Sequence, residues 1–355
     1  MGRKNVSTLE QFFAESSGRK VWIGVDVHKR SYSVAVCRDD GAMVSWKTSA
    51  DNNALIRQLC SHGLRIKALV YESGPTGFGL ARACLDAGIP VVVAAPSRII
   101  RPVSPTAKTD SLDCRKLADL AAKDMVHSIA VPTEDEEALR ALERRRHQLA
   151  DSLRKVRQRI RGFLLFHGLQ EPKGIDRWTN AAVAVLMGTS MNEMLREVLD
   201  DYLDELKHLK EKITRLENAM TRHTAALHQH RLACLQSVPG VGRIVACSFL
   251  SELFRPERFH RGEEVTAYLG LAPFVRHSGE KTPSGRLRPT GQSRLRSFLV
   301  EAAWVWKTHD PGVQAYYGRM LHNTGLTQKA IIAVARKLAI VLWRLACEVR
   351  AYRPA

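Results

Sequence analysis

The sequence lacks an apolar N-terminal run and any uninterrupted apolar stretch long enough to cross a membrane. Its most apolar late segment, 330–349, is interrupted by Arg336, Lys337 and Arg344. We therefore expect no signal peptide, no membrane span and no membrane partner.

Closely spaced cysteines are also missing, because none of the seven belongs to a C-x-x-C pair. This spacing excludes a zinc knuckle and favours no disulfide framework, so a reducing cytoplasm is the expected location. Short-period repeats and low-complexity tracts are absent as well. Since 45% of the residues are hydrophobic, the chain has enough apolar material for packed cores.

Acidic residues are scarce relative to basic ones: 36 Asp and Glu stand against 54 Lys and Arg, a formal charge of +18 over 355 residues. Residues 231–355 carry 19 basic and 8 acidic side chains, whereas 129–230 is nearly neutral. An excess of this size predicts a polyanionic partner, and the last third is the expected electrostatic contact with nucleic acid.

The first third has the pattern of an α/β domain, which we place at 20–128. Alternating and continuous apolar runs predict strands at 21–27, 31–37, 42–48, 68–72 and 90–95, and helices at 53–61, 76–87 and 111–123. The first three strands form a meander, in which the turn at 39–41 joins the second strand to the third. The predicted order is βββαβαβα.

Two heptad runs, at 139–163 and 195–220, identify the middle region, 135–230. Arg146 is the one polar residue at a core position of the first run. Heptads define an apolar seam but not which helix lies across it, so a coiled coil and an ordinary intramolecular helix hairpin both remain open.

The composition changes again at residue 231, where we place a mostly helical third domain, 231–355. Its VPGVG segment, 238–242, separates two helical patterns. Small residues there let backbone N–H groups approach a phosphate, as in a helix-hairpin-helix, and make Pro239, Gly240 and Gly242 candidate nucleic-acid contacts. An ordinary Gly-rich turn is the alternative. A basic loop and two C-terminal helices follow.

Four carboxylates are candidate metal ligands in the first domain. Asp26 is the charged residue of an otherwise apolar strand, and Glu72 ends another strand. Asp110 and Asp113 lie three residues apart at the start of a helix. Together the four could hold a pair of divalent cations for phosphoryl chemistry. Individually, each has a simpler explanation: a helix cap, a strand-end acid, or a pair with Lys29.

The basic loop at 276–296 is a phosphate clamp or a solvated surface loop. It contains one acid, Glu280, and six basic residues: Arg276, Lys281, Arg286, Arg288, Arg294 and Arg296. A serine hydroxyl gripped against a neutralised phosphate can act as a nucleophile. On chemistry alone, Ser278 and Ser284 are equal candidates.

Three blocks in the first domain resemble the DEDD transposases of bacterial insertion sequences, which are related to site-specific DNA invertases of the Piv type. The blocks are GVDVHK at 24–29, YESGPTG at 71–77 and KTDSLDCRKLA at 108–118. The resemblance implies a ribonuclease-H-like (RuvC-like) catalytic domain. It implies that Asp26, Glu72, Asp110 and Asp113 are the acidic tetrad. The implied cofactor is Mg²⁺, bound as two ions.

The resemblance extends to the C-terminal transposase block, where LGLAP at 269–273 precedes HSGEK at 277–281. It implies that Ser278 is the nucleophile and forms a phosphoserine-linked DNA end. The sequence departs from the family at 288–292, RPTGQ, where a lysine is usual; Arg286 and Arg288 are both candidates for its role. A noncoding bridge RNA and a homo-oligomer, a tetramer, are implied likewise.

The expected function is therefore that of a transposase acting on donor and target DNA. A site-specific invertase of the same family would share this chemistry. A junction-resolving nuclease would need the tetrad but no serine, and a non-catalytic nucleic-acid binder would need neither.

Overall fold

The computed structural model describes residues 4–96, 110–274, 286–287 and 291–354. The chain divides into two compact units, Met1–Thr133 and Glu134–Ala355. None of the helices in these described ranges is long and apolar enough to cross a membrane.

The first unit is a five-stranded mixed sheet with helices on both faces. Its elements are α1 (Lys4–Ser16), β1 (Lys20–Val27), β2 (Ser31–Arg38), β3 (Met43–Ser49), α2 (Asn52–Cys60), β4 (Arg65–Glu72), α3 (Gly79–Asp86), β5 (Val91–Ala94) and α4 (Asp110–Ala122). The strand order is β3-β2-β1-β4-β5, antiparallel from β1 to β3 and parallel from β1 to β5. The predicted order βββαβαβα is confirmed, and α1 is an addition to it.

Alternation along the central strands assigns their side chains to two cores. Val21, Ile23 and Val25 of β1 are fully buried with Phe13 of α1 in the larger core, which also takes in α2 and α3. Residues of β1 between these positions face α4 on the opposite side. The central strands are therefore covered on both faces, as expected where parallel pairing occurs.

Gly24 is the point at which α4 contacts β1. A Cβ atom at this position would lie 2.0 Å from the carbonyl oxygen of Cys114 and 2.5 Å from the amide nitrogen of Ala118. Because both are backbone atoms of the helix, no side chain fits between the strand and the helix here. The glycine thus sets the distance between α4 and the sheet.

The direction of α4 follows from its neighbours in the sheet. Burial and the charge of Asp26 raise the pKa of Cys114, to about 11, so the start of α4 lies near the end of β1. Cys37, which pairs with Trp22 near the start of β1, has its pKa raised by burial and by Asp119, further along α4. The helix is therefore antiparallel to β1, with its N-terminus at the carboxyl ends of β1 and β4.

The second unit is almost entirely helical. Its elements are α5 (Glu134–Phe166), α6 (Asn180–Gly188), α7 (Glu193–Gln236), α8 (Arg243–Leu253), α9 (Gly262–Tyr268), β6 (Pro273–Phe274), β7 (Arg286–Leu287), α10 (Ser293–His309), α11 (Pro311–Thr324) and α12 (Thr327–Glu348). Three helices, α10 to α12, stand where two were predicted. Asp310 makes the additional break, since its carboxylate caps α11 by accepting from the Val313 amide.

The heptad runs pair with each other inside one chain. Ion pairs join Arg146 of α5 to Glu217 of α7 and Arg159 of α5 to Glu205 of α7, so the two helices are antiparallel. The α7 seam residues Leu206 and Leu209 are buried against α5. The intramolecular hairpin is therefore the observed arrangement. The heptads give no support to contacts between subunits, because their seam is already filled.

The predicted boundary between the middle and C-terminal domains falls within α7. His228 has non-helical backbone angles, φ −142° and ψ 39°, and kinks the helix three residues before position 231. The core around Trp306 and Leu338 includes residues from both sides of this kink. A separate third domain at 231–355 stays a prediction.

We expect Gly24→Ala to lower the free energy of unfolding by about 3 kcal/mol or more, since the new methyl group meets helix backbone that cannot rotate away. Gly162→Ala is the control: this exposed position in α5 has open space around it, and the change should stabilise the helix by about 0.5–1 kcal/mol. Hydrogen exchange of the β1 and α5 amides measures both effects. A Gly24→Ala protein as stable as wild type would contradict the close contact.

Candidate active site

Asp26 and Glu72 lie side by side at one edge of the sheet. The parallel pairing of β1 and β4 matches Val25 with Tyr71, so the next residue of each strand is one of the two acids. Both acids are half-buried. The prediction that a first-strand Asp lies beside a fourth-strand Glu is confirmed by this register.

His28 is a contact of Asp26 that the sequence motif contained but our interpretation of it did not use. The imidazole Nε2 lies 3.0 Å from Asp26 Oδ2, and the histidine is half-exposed. The signal was present as the D-x-H spacing, because residues two apart on extended backbone share a face. This contact fixes the Oδ2 atom of the Asp26 carboxylate.

The remaining two acids belong to the start of α4. Asp113 is exposed and directly precedes Cys114, whose carbonyl oxygen faces Gly24. Asp110 is the first residue of the helix, and its side chain lies outside the described residues. The fold therefore brings the beginning of α4 to the strand ends that carry Asp26 and Glu72.

The donor atoms suit a hard divalent cation, because Mg²⁺ prefers carboxylate oxygens. Within the described residues, however, no three His, Cys, Asp or Glu side chains approach closely enough to hold a metal ion. The elements that carry the tetrad meet at one edge, and the complete ligand set stays a prediction.

The two ends of the basic loop lie close together in the second unit. β6 pairs antiparallel with β7, Pro273 opposite Leu287. Just outside this pair, Gly291 has a φ of +89°, and a Cβ there would lie 2.6 Å from the Gly270 amide nitrogen. The absence of a side chain at Gly291 thus allows the backbone at the two ends of the loop to approach closely.

Most of the predicted groups in this loop fall outside the described residues, namely Arg276, Ser278, Lys281, Ser284 and Arg288. Arg286 lies in β7, of which the backbone position alone is described.

Arg294 and Arg296, predicted to contact nucleic acid, are bound within the chain. The Arg294 guanidinium donates to Glu143 of α5 at 2.7 Å, and Arg296 donates to the carbonyl oxygen of Gly270 at 3.1 Å. Burial raises the pKa of Glu143, and the Arg294 charge opposes that rise. Both arginines therefore have a structural task at the start of α10.

The hairpin at 238–242 assigns different roles to its residues. Gly240 has a φ of +84°, and a Cβ there would lie 2.6 Å from the Ala302 carbonyl oxygen of α10. Close packing alone explains this glycine. Gly242, in contrast, is exposed at the N-terminus of α8 with open space around it, and Pro239 is partly exposed. Gly242 and Pro239 remain available to a ligand.

Two family models match the chain. Residues 23–168 match the DEDD transposase model of the IS110 type, and residues 232–318 match the model described as the transposase IS116/IS110/IS902 family. The first match implies a ribonuclease-H-like fold, in agreement with the sheet order.

Individual relatives extend the similarity over most of the chain. The predicted transposase y4rJ of Sinorhizobium fredii is 30% identical over 303 residues, which is 78% of this chain and 76% of the relative. The transposase for insertion sequence element IS1111A of Coxiella burnetii is 23% identical, over 93% of this chain and 91% of the relative. The pilin gene-inverting protein of Moraxella bovis is 28% identical over 42% of this chain and 47% of the relative.

Removal of Arg294 should destabilise the second unit strongly, because Glu143 would remain buried without its principal cation. We expect Arg294→Met to cost about 3 kcal/mol near neutral pH. The pKa of Glu143 would then rise further, so the loss should shrink as the pH falls and the buried acid takes up a proton. Urea unfolding at about pH 8 and about pH 5 measures this.

The matched control is Arg350→Met, which removes an exposed partner of Glu348 and should cost at most about 0.5 kcal/mol at either pH. A pH-independent loss in Arg294→Met would show that packing, rather than the buried charge, is what the variant removes.

Proposed function

Because the chain belongs to the IS116/IS110/IS902 family of insertion-sequence transposases, enzymes that cleave and rejoin DNA, we propose how its residues divide that reaction. Ser278 supplies the nucleophile, and Asp26, Glu72, Asp110 and Asp113 hold Mg²⁺. The observation that carries the proposal is the adjacent placement of Asp26 and Glu72, with the start of α4 at the same sheet edge.

Mg²⁺ held at this site would neutralise negative charge on the phosphodiester. The carboxylates hold the ion, and His28 orients the Asp26 carboxylate by its contact with Oδ2. The basic residues of the loop at 276–296 grip the phosphodiester electrostatically. These groups bind and orient the DNA before any covalent bond changes.

The covalent step is a transesterification. The Ser278 oxygen attacks the phosphorus, and its proton passes to water. A bond from phosphorus to Oγ forms as the bond to the 3′ oxygen breaks, and the departing 3′ oxygen takes up a proton from water. The products are a DNA end joined to serine through its phosphate and a free 3′-hydroxyl. The energy of the phosphodiester is retained in the serine ester, so a second hydroxyl can reverse the step and join new ends.

We assign further contacts to nucleic acid. The turn between α7 and α8 contacts a phosphate through Gly242 and Pro239 as a helix-hairpin-helix, supported by their exposure. A noncoding bridge RNA selects the sites, and four copies assemble; the +18 charge is consistent with two nucleic acids on one protein. In this proposal α5 and α7 pair as a coiled coil within one chain and not between subunits.

A second candidate function is site-specific inversion of DNA, favoured by the similarity to the pilin gene-inverting protein. It uses the same bond changes at paired sites within one molecule. A structured noncoding transcript encoded beside the gene would favour the guided transposase over the invertase.

Trapping of the covalent intermediate tests the proposal. On a DNA substrate nicked near the cleavage site, wild-type protein should form an adduct that survives detergent and disappears with protease. Ser278→Ala should form none, because the attacking oxygen is gone, while DNA binding is retained.

Ser284→Ala is the matched control and should form the adduct as wild type does. An adduct that persists in Ser278→Ala and vanishes in Ser284→Ala would assign the nucleophile to the other serine. If neither change affects cleavage, water is the nucleophile and a junction-resolving nuclease replaces the proposal. Normal cleavage by Asp26→Ala with Glu72→Ala would reject the acidic site.

A further inference from the structure

Two partly buried cations, for which the described residues provide no carboxylate partner, lie in the helix hairpin of the second unit. This part of the sequence has a net charge close to zero. The pair consists of Arg157 on α5 and Lys210 on α7. The ion pairs Arg146–Glu217 and Arg159–Glu205 fix the register of the two helices. In that register Lys210 lies one helical turn from the residue opposite Arg157.

Neighbouring arginines of α5 have carboxylate partners. Arg154 lies 3.0 Å from Asp151, Arg159 lies 3.7 Å from Glu205, and Arg161 lies 2.7 Å from Glu171. Within the described parts of the chain, neither Arg157 nor Lys210 has such a partner. Arg157 differs from these exposed or half-exposed arginines because its Nε is buried.

Both cations are partly buried, and this makes their lack of a counter-charge costly. Burial lowers the pKa of Arg157, and burial together with the charge of Arg157 lowers the pKa of Lys210. The Nε of Arg157 is buried without a hydrogen-bond acceptor among the described residues. Two like charges and an unpaired donor in one place are costly, and a bound anion would lower this cost.

The arginine is also held in position by the segment between the helices. The Arg157 guanidinium carbon lies 5.6 Å from the centre of the Trp178 ring, which is 6% exposed. Trp178 has a φ of +55°, a conformation that costs energy for a bulky residue. Gly174, in the same turn, has a φ of +87°. The backbone is thus strained at Trp178, the residue whose ring contacts the Arg157 guanidinium.

We infer that Arg157 and Lys210 form a phosphate site that binds the backbone of a nucleic acid along the hairpin. An arginine presents a planar fork that matches two phosphate oxygens, a lysine adds a point charge, and the tryptophan face fixes the plane of the guanidinium. The inference rests on the proposed function for the identity of the polyanion. It adds a contact outside the strongly basic last third of the chain.

The salt dependence of binding tests the site directly. Full-length wild type, Arg157→Gln and Lys210→Gln are titrated at several salt concentrations with duplex DNA of the element end and, separately, with the noncoding transcript. Each variant should bind about tenfold more weakly, with the slope of log affinity against log salt reduced by about one. The nucleic acid whose slope falls is the one that contacts the hairpin.

Arg159→Gln is the matched control, because Arg159 lies two residues from Arg157, carries the same charge and is already paired with Glu205. The salt slope of this variant should change by less than half the change seen in Arg157→Gln. Arg157→Lys should keep most of the wild-type slope. Thermal unfolding separates binding from folding: Lys210→Gln should be at least as stable as wild type, since it removes a like charge beside Arg157.

Unchanged slopes for both nucleic acids in Arg157→Gln and Lys210→Gln would overturn the inference. A lower melting temperature with an unchanged slope would show that the pair serves packing alone. Failure of the proposed function would be distinguishable, because the wild-type protein would then form no covalent adduct whatever its salt slope; wild type that binds neither nucleic acid would overturn both.

Discussion

The first unit depends on the contact between the backbone of α4 and the backbone of β1 at Gly24. Side chains from both elements normally separate a helix from the sheet on which it packs. Here the strand has no side chain at the point of contact, because residue 24 is a glycine. The contact sets the distance between α4 and the sheet at Cys114 and Ala118. Its direction is fixed by the small core of Ala35, Cys37, Cys114 and Ala118. Together they bring the start of α4 to the carboxyl ends of β1 and β4.

Charges are arranged differently in the two units. In the first, Asp26 and Glu72 lie at one edge of the sheet, and the start of α4, which carries Asp113, comes to the same edge. In the second, buried acids are covered by arginines: Glu143 by Arg294 and Glu252 by Arg140. Some basic side chains of the last third are therefore already paired within the fold. Net charge alone overstates the number of cations that can contact nucleic acid.

The sheet of the first unit was accessible to sequence reasoning because its strands are marked by alternation and turn residues, and Asp26 and Glu72 end strands whose order is simple. The helix α1 was missed, although Phe13 is fully buried, because a short amphipathic segment before the first strand carries no signal of where it packs. The role of Gly24 was also hidden, since its neighbours are 90 residues away in sequence. Its effect depends on a tertiary contact.

The same limit applies to the second unit. The heptads predicted the seam correctly but not the partner, which the ion pair of Arg146 with Glu217 identifies as the same chain. Arg294 was interpreted as a nucleic-acid contact because it is one of the six basic residues at 276–296, and only the fold reveals that it pairs with the buried Glu143. Sequence position indicates which residues are charged; burial decides what the charge is used for.

Metal binding by the full-length protein tests the central claim most directly, namely that β1, β4 and α4 bring their acids to one cation site. Calorimetric titration with Mn²⁺, a substitute for Mg²⁺, should show binding that is lost or weakened at least about tenfold in Asp26→Asn, Glu72→Gln and Asp113→Asn. It should be unchanged in Asp86→Asn, an exposed acid at the end of α3. Wild-type Mn²⁺ affinity in all three site variants would contradict the account.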